Sequence, residues 1–157
     1  PQKKQVLVKY SRGESINYLE GQMHFQGSDF SLEILNTSRQ DGQLYEYSVS
    51  KGHEEEVQQI QLKVYEPVSK PSIQILSKEL ANGSCTLTLN CTAERGDDVS
   101  YSWDSQDSRT WGLCWGNSSF LHLSYPPGNS SISCVCTATN PVSSWAVTFN
   151  PSGCSHE

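Results

Sequence analysis

Six cysteines, Cys85, Cys91, Cys114, Cys134, Cys136 and Cys154, are the residues of this 157-residue chain best suited to chemistry. For an even set of cysteines that chemistry is oxidation to disulfides. Five asparagines, Asn36, Asn82, Asn90, Asn117 and Asn129, each open an N-x-Ser/Thr triplet with no proline at x and are candidates for N-glycosylation. One such triplet is close to chance. Five beside paired cysteines indicate a secreted or surface glycoprotein. The histidines, His24, His53, His122 and His156, are scattered and form no His-Glu-x-x-His pair, so no metal or other cofactor is expected. His53-Glu54-Glu55-Glu56 reads as a solvated hairpin tip rather than a cation site. No Gly-x-Ser-x-Gly elbow occurs, and no catalytic role is expected.

The formal net charge of −6 argues against nucleic acid as a partner, because that binding rests on Lys and Arg neutralising phosphates. No apolar run reaches the roughly 18 residues of a membrane helix, and the opening Pro1-Gln2-Lys3-Lys4 is polar. The expectation is an ectodomain or part of one, on the extracellular side of the plasma membrane, anchored outside these residues.

The elements that position these groups are strands. Phe30, Leu32 and Ile34 alternate with polar residues, as do Tyr45 and Tyr47, and then Ile60, Leu62 and Val64 after a Lys51-Gly52 turn. This predicts three or four antiparallel strands with one buried face. Val57 is out of step, which predicts a bulge near Gln58-Gln59. Beyond the proline-bearing stretch Glu66 to Pro71 a second ladder begins. Its strands are predicted around Ile73 and Ile75, Cys85 to Cys91, Val99 to Trp103, Phe120 to Leu123, Ile132 to Ala138 and Trp145 to Phe149. Turn signals separate them at Asn82-Gly83, Gly96-Asp97-Asp98, Pro126-Pro127-Gly128 and Asn140-Pro141. In this ladder Trp103 follows Cys91 by twelve residues and Cys136 lies thirty-three further on. That is the spacing of an immunoglobulin sandwich, with an indole packed against a bridge between the sheets.

The first ladder is shorter. Asp41 and Tyr45 keep the Asp-x-x-x-Tyr pattern that opens strand F, which makes Tyr45 the tyrosine-corner candidate. Tyr47 stands where a sheet-bridging cysteine would be. Only about forty residues precede Asp41, too few for all the strands before F in a domain of about 100 residues. The chain is expected to enter near strand C′.

Taken together, Val64-Tyr65-Glu66-Pro67-Val68-Ser69-Lys70-Pro71, Asn82-Gly83-Ser84-Cys85-Thr86-Leu87, Asp98-Val99-Ser100-Tyr101-Ser102-Trp103 and Cys136-Thr137-Ala138-Thr139-Asn140-Pro141-Val142-Ser143 resemble the ectodomain of the signalling lymphocytic activation molecule (SLAM) family. The resemblance implies an all-β chain of two tandem immunoglobulin-like sandwiches. Residues 1–66 would be an N-terminally truncated V-type domain (strands C′ to G), 67–71 a linker, 72–154 a C2-type domain and 155–157 the start of a stalk. It further implies the bridges Cys91–Cys136 and Cys85–Cys154. Cys134 departs from the family by replacing a tyrosine two residues before Cys136. A third bridge, Cys114–Cys134, is the economical reading, with free thiols or an intermolecular link as the alternatives. Trp111 and Trp115 lie near a loop, where packing over a sheet edge competes with a ligand patch.

The resemblance also implies a function. The chain would be the ectodomain of a leukocyte adhesion or signalling receptor that engages another SLAM-family ectodomain, homophilic or heterophilic, on an opposing cell. The face implied for that contact carries Lys9 or Tyr10 on strand C′, Glu46, Ser48 and Ser50 on strand F, and His53, Glu54 and Glu56 on the hairpin and strand G. The alternatives are a soluble or virus-borne decoy and a non-binding splice form.

Overall fold

The computed structural model describes residues 4–106, 113–126 and 132–151. The fold is all-β and divides into two compact units, Pro1–Val64 and Tyr65–Glu157. Among the described residues no helix is long and apolar enough to cross a membrane.

Unit 1 consists of three antiparallel ribbons. Strands β1 (Val8–Ser11) and β2 (Glu14–Asn17) form the first, β3 (Met23–Gln26) and β4 (Ser31–Ile34) the second, and β5 (Leu44–Lys51) and β6 (Glu54–Gln61) the third. The sequence predicted fewer strands because β2, with Ile16 as its one apolar residue, shows no alternation. Phe30 does not open a strand. It sits in the β3–β4 turn at φ 58°, a left-handed conformation that is rare for a bulky side chain. Pairing of β5 with β6 runs unbroken from Leu44↔Gln61 to Lys51↔Glu54, so the bulge expected at Gln58-Gln59 is absent. Val57 is out of step because it lies on the other face, opposite Ser48.

Two features lock the ribbons locally. A single 3-10 turn at Arg39–Asp41 is held by the Asp41 carboxylate, which accepts from the Ser38 N–H at 2.7 Å. The Tyr45 hydroxyl then donates to the Asp41 carbonyl at 2.8 Å, the tie of a tyrosine corner. Burial in this unit is sparse. Met23 is its one buried apolar residue among those described, while Leu44, Tyr47, Val57 and Ile60 are exposed.

Unit 2 is built from two three-stranded sheets, ordered β10-β8-β7 and β12-β11-β9. The first joins β7 (Ser72–Ala81), β8 (Ser84–Thr92) and β10 (Phe120–Tyr125). The second joins β9 (Ser100–Ser105), β11 (Cys134–Asn140) and β12 (Ser143–Phe149). The six strand positions expected from the sequence all carry strands among the described residues. Asn82 and Gly83 both take positive φ, 52° and 73°, as a two-residue hairpin between β7 and β8 requires. A register shift between Ile75 and Ser77 lets β7 run on where the sequence suggested a shorter strand.

Strand β8 alternates strictly. Cys85, Leu87, Leu89 and Cys91 are buried, and Thr86, Thr88, Asn90 and Thr92 face away from the core. With Leu121, Leu123 and Tyr125 they meet Trp103, Cys134 and Cys136 in one core. Cys91–Cys136 crosses this core with Cα atoms 6.6 Å apart, and Cys114–Cys134 has Cα atoms 5.5 Å apart. Cys85 is also disulfide-bonded, and Cys154 lies outside the described residues. The Trp103 indole N–H donates to the Ser119 carbonyl at 3.3 Å, which satisfies the one polar atom of a buried ring.

Residues 67–71, expected as a linker, fall within unit 2. Val68 and Pro71 are buried. The Glu66 N–H donates to Asp97 Oδ2 at 2.8 Å, and the Val68 N–H donates to Ser143 Oγ at 2.8 Å. Asn140, 7% exposed, ties these turns together. Its Nδ2 donates to the Glu66 and Asp97 carbonyls at 2.7 and 3.0 Å. Its Oδ1 accepts from the Ser143 N–H at 2.9 Å and the Ser143 hydroxyl at 2.8 Å. The segment thus packs on the end of the sandwich through its own backbone.

Candidate functional site

The β5–β6 ribbon carries most of the expected contact residues, and its register decides which of them share a face. Directly opposed residues of an antiparallel pair project from the same side. Glu46 opposes Gln59, Ser48 opposes Val57 and Ser50 opposes Glu55. These six residues form one face. Tyr45, Tyr47, Val49 and Lys51 form the other, opposite Ile60, Gln58, Glu56 and Glu54. Glu46, Ser48 and Ser50 therefore do lie together. Glu54 and Glu56 lie on the tyrosine side, and Glu55, Val57 and Gln59 take the places expected for them. Counting outward from a Gly52-His53 loop in mirror positions gives this register, because a two-residue loop fixes it. Gly52 takes φ 61° in that turn, and His53 beside it is exposed.

Charge on this face is partly matched from within the unit. Lys4 Nζ contacts both oxygens of Glu46, at 2.9 and 3.1 Å. Gln59 Nε2 donates to Glu46 Oε2 at 3.4 Å. The Lys4 ammonium, followed by the Gln59 amide, holds the Glu46 carboxyl below its ordinary value, because both donate to the charged form. Nothing in the sequence pairs Lys4 with a strand residue forty-two positions away. On the tyrosine side, burial first and then the Asp41 charge push the Tyr45 phenol up, so it remains a donor to the Asp41 carbonyl.

The β1–β2 ribbon separates the two other candidates. Tyr10 opposes Ser15 and Lys9 opposes Ile16, so they project from opposite sides. The Tyr10 ring packs edge-on against Phe30 at 5.2 Å between centroids and lies 6.1 Å from Phe25. Tyr10 is thus engaged in an aromatic cluster, and Lys9 is the residue of this pair left beside the exposed Ile16.

Of the sequons, Asn36, Asn82 and Asn117 are exposed. Asn90 faces away from the core but is half-buried, and its Oδ1 is buried without a hydrogen-bond partner. Asn129 lies outside the described residues, as does Trp111. Trp115 does not pack over a sheet edge: it is 70% exposed. A hollow of about 340 Å³ in unit 1 is lined by Ser15, Asn17, Glu20, Met23 and His24 among others. Among the described residues no group of three or more His, Cys, Asp or Glu is placed to hold a metal ion.

No protein-family model matches the chain. Over nearly its whole length it is homologous to signalling lymphocytic activation molecules. It is 42% identical over 153 residues to the one from Mus musculus, covering 94% of this chain and 44% of the relative. It is 35% identical over 149 residues to the one from Canis lupus familiaris, covering 95% and 44%. The chain therefore spans less than half the length of these curated relatives. Among solved structures it is similar to the CD2-binding domain of CD58, with a TM-score of 0.59, 21% identity, and coverage of 96% of this chain and 80% of that one. That likeness shows an immunoglobulin-like fold.

Proposed function

We propose that this chain, a homologue of SLAM-family proteins, is part of the ectodomain of a leukocyte cell-surface receptor that binds another family member on an opposing cell. The observation that carries the reading is the 42% identity to mouse signalling lymphocytic activation molecule over 94% of the chain. In this reading unit 1 is the V-type domain. Its ribbons are strands C′ and C″ (β1, β2), D and E (β3, β4), and F and G (β5, β6). Unit 2 is the C2-type domain, with Cys85 bridged to Cys154 beside the Cys91–Cys136 and Cys114–Cys134 bonds.

The contact face is the side of β5–β6 that carries Glu46, Ser48, Ser50, Glu55, Val57 and Gln59, with His53 at the hairpin tip and Lys9 on β1. Small hydroxyls, two carboxylates and one valine make a surface that gains specificity and association rate from charge complementarity rather than great affinity. Such contacts become firm when many pair at once between two membranes. Glycans at Asn36, Asn82, Asn117 and Asn129, and at the more confined Asn90, suit a protein outside the cell.

The test is to display the chain multivalently on beads and offer it to otherwise identical cells that each express one SLAM-family ectodomain. Adhesion to at least one of these lines, and none to the parental cells, is expected. Equal adhesion to all lines, or none to any, overturns the reading.

A further inference from the structure

The exposed indole of Trp115 lies two residues before the sequon asparagine Asn117, and the residue between them fixes how both project. Gly116 pairs with the core residue Trp103 through two backbone hydrogen bonds, Trp103 N–H to Gly116 O at 2.8 Å and Gly116 N–H to Trp103 O at 3.2 Å. A Cβ placed on Gly116 would meet Leu121 Cδ1 at 3.6 Å and the Trp103 side chain at 3.7 Å. The Cβ direction of Gly116 therefore points into the core. Neighbours on either side of such a bridge residue project the opposite way and share one face. Both do face solvent: Trp115 is 70% exposed and Asn117 is exposed as well. The segment is anchored at both ends. Cys114 is buried in its bond to Cys134. The Ser118 hydroxyl accepts from the Phe120 N–H at 3.2 Å and donates to the Phe120 carbonyl at 3.1 Å.

A tryptophan held this far out of the core has most of its ring in water, so an apolar surface laid over it gains from burial. The sequon supplies one within reach. The first N-acetylglucosamine of an N-glycan presents a face of C–H groups, which carry slight positive charge and pack on the negative face of an indole.

We propose that Trp115 is a stacking platform for the first sugar of a glycan on Asn117, so that this glycan is part of the folded surface of unit 2. The inference rests on the reading of the chain as an extracellular glycoprotein. It differs from that reading in assigning a structural role to one glycan. The sugar covers the indole, the fixed loop limits the conformational freedom lost on contact, and the carbohydrate helps hold the Cys114 loop against β9.

The chain would be secreted from glycosylating cells as wild type, Trp115→Ala, Asn117→Gln and the double variant. Occupancy of each sequon would be read by peptide mass spectrometry and unfolding midpoints by thermal melts. Trp115→Ala should lower the midpoint by about 4 °C when Asn117 carries a glycan and leave it unchanged in the Asn117→Gln background. Trimming the glycan enzymatically to a single N-acetylglucosamine should keep that coupling. An equal loss in both backgrounds would mean that the indole packs on protein, and no loss in either would mean that it packs on nothing. Both outcomes overturn the inference. An unoccupied Asn117 in a chain glycosylated at Asn36 and Asn82 also overturns it while the extracellular reading stands. If no sequon is occupied, that reading falls with it.

Discussion

Asn140 shows how one side chain can close a fold. It donates to two carbonyls and accepts from the Ser143 N–H and hydroxyl while 7% exposed. Asn140→Ala leaves several half-buried partners without their bonds at once, and an unsatisfied group costs about 1–3 kcal/mol when fully buried and less where water can reach it. The expected result is a cooperative but clearly lowered unfolding transition of unit 2 in a denaturant titration. Asn140→Asp should also be costly, because a carboxylate cannot donate to the Glu66 and Asp97 carbonyls. Glu46 gives a residue-scale prediction that depends on pH. Its carboxyl is held down by Lys4 and Gln59, so its folded value lies below its unfolded one. The stabilisation is complete above the unfolded value and is lost as pH falls through the depressed folded value. Lys4→Ala should return the Glu46 titration, followed by carboxylate carbon shifts, toward the ordinary glutamate range. An unmoved titration would show that the pair at 2.9 Å does not persist in solution.

At the level of elements, the disulfides and the hairpins obey different rules. Cys91–Cys136 spans 45 residues and Cys114–Cys134 spans 20, so loop closure assigns them about 4 and about 3 kcal/mol. Replacing Cys114 and Cys134 together by alanine should lower the melting temperature of unit 2 and still leave a folded sandwich around Trp103. The paired change at Cys91 and Cys136 should cost more. Near-ultraviolet circular dichroism of the tryptophans during thermal melts would order the two. The β8 alternation and the Cys91–Trp103–Cys136 spacing were legible in the sequence because strict period two and fixed cysteine–indole spacing are properties of one chain segment and one core. What was not legible depends on partners distant in sequence. Alternation along β6 alone could not say that Val57 opposes Ser48, or that Glu55 rather than Glu54 or Glu56 joins Glu46. Nor could a proline count say that Val68 and Pro71 are buried, since Ser143, Asp97 and Asn140 decide it. The partner of β1 was harder to read, because Glu14-Ser15-Ile16-Asn17 carries one apolar residue and leaves no alternation to follow.

On the scale of the whole molecule the two units differ in how they are held. Unit 2 has a contiguous buried core crossed by a disulfide. Unit 1 contributes Met23 as its one buried apolar residue among those described, and isolated two-stranded ribbons are marginal in water. Amide hydrogen exchange should therefore protect β8 and β11 strongly and β3 to β6 weakly. Equal protection would mean that unit 1 has stabilising cover beyond what its ribbons provide. The proposed function places recognition on this less stable unit, on one face of β5–β6. Glu55 and Glu56 are adjacent and alike in charge, yet they project from opposite sides of the ribbon, opposite Ser50 and Val49. The most direct measurement is multivalent adhesion to cells bearing the partner ectodomain, comparing Glu55→Lys with Glu56→Lys at low and high salt. Glu55→Lys should abolish or strongly weaken adhesion and Glu56→Lys should preserve it, with the difference shrinking as salt screens exposed charge over about 8 Å. Loss with Glu56→Lys and retention with Glu55→Lys would contradict the account and put the contact on the tyrosine side.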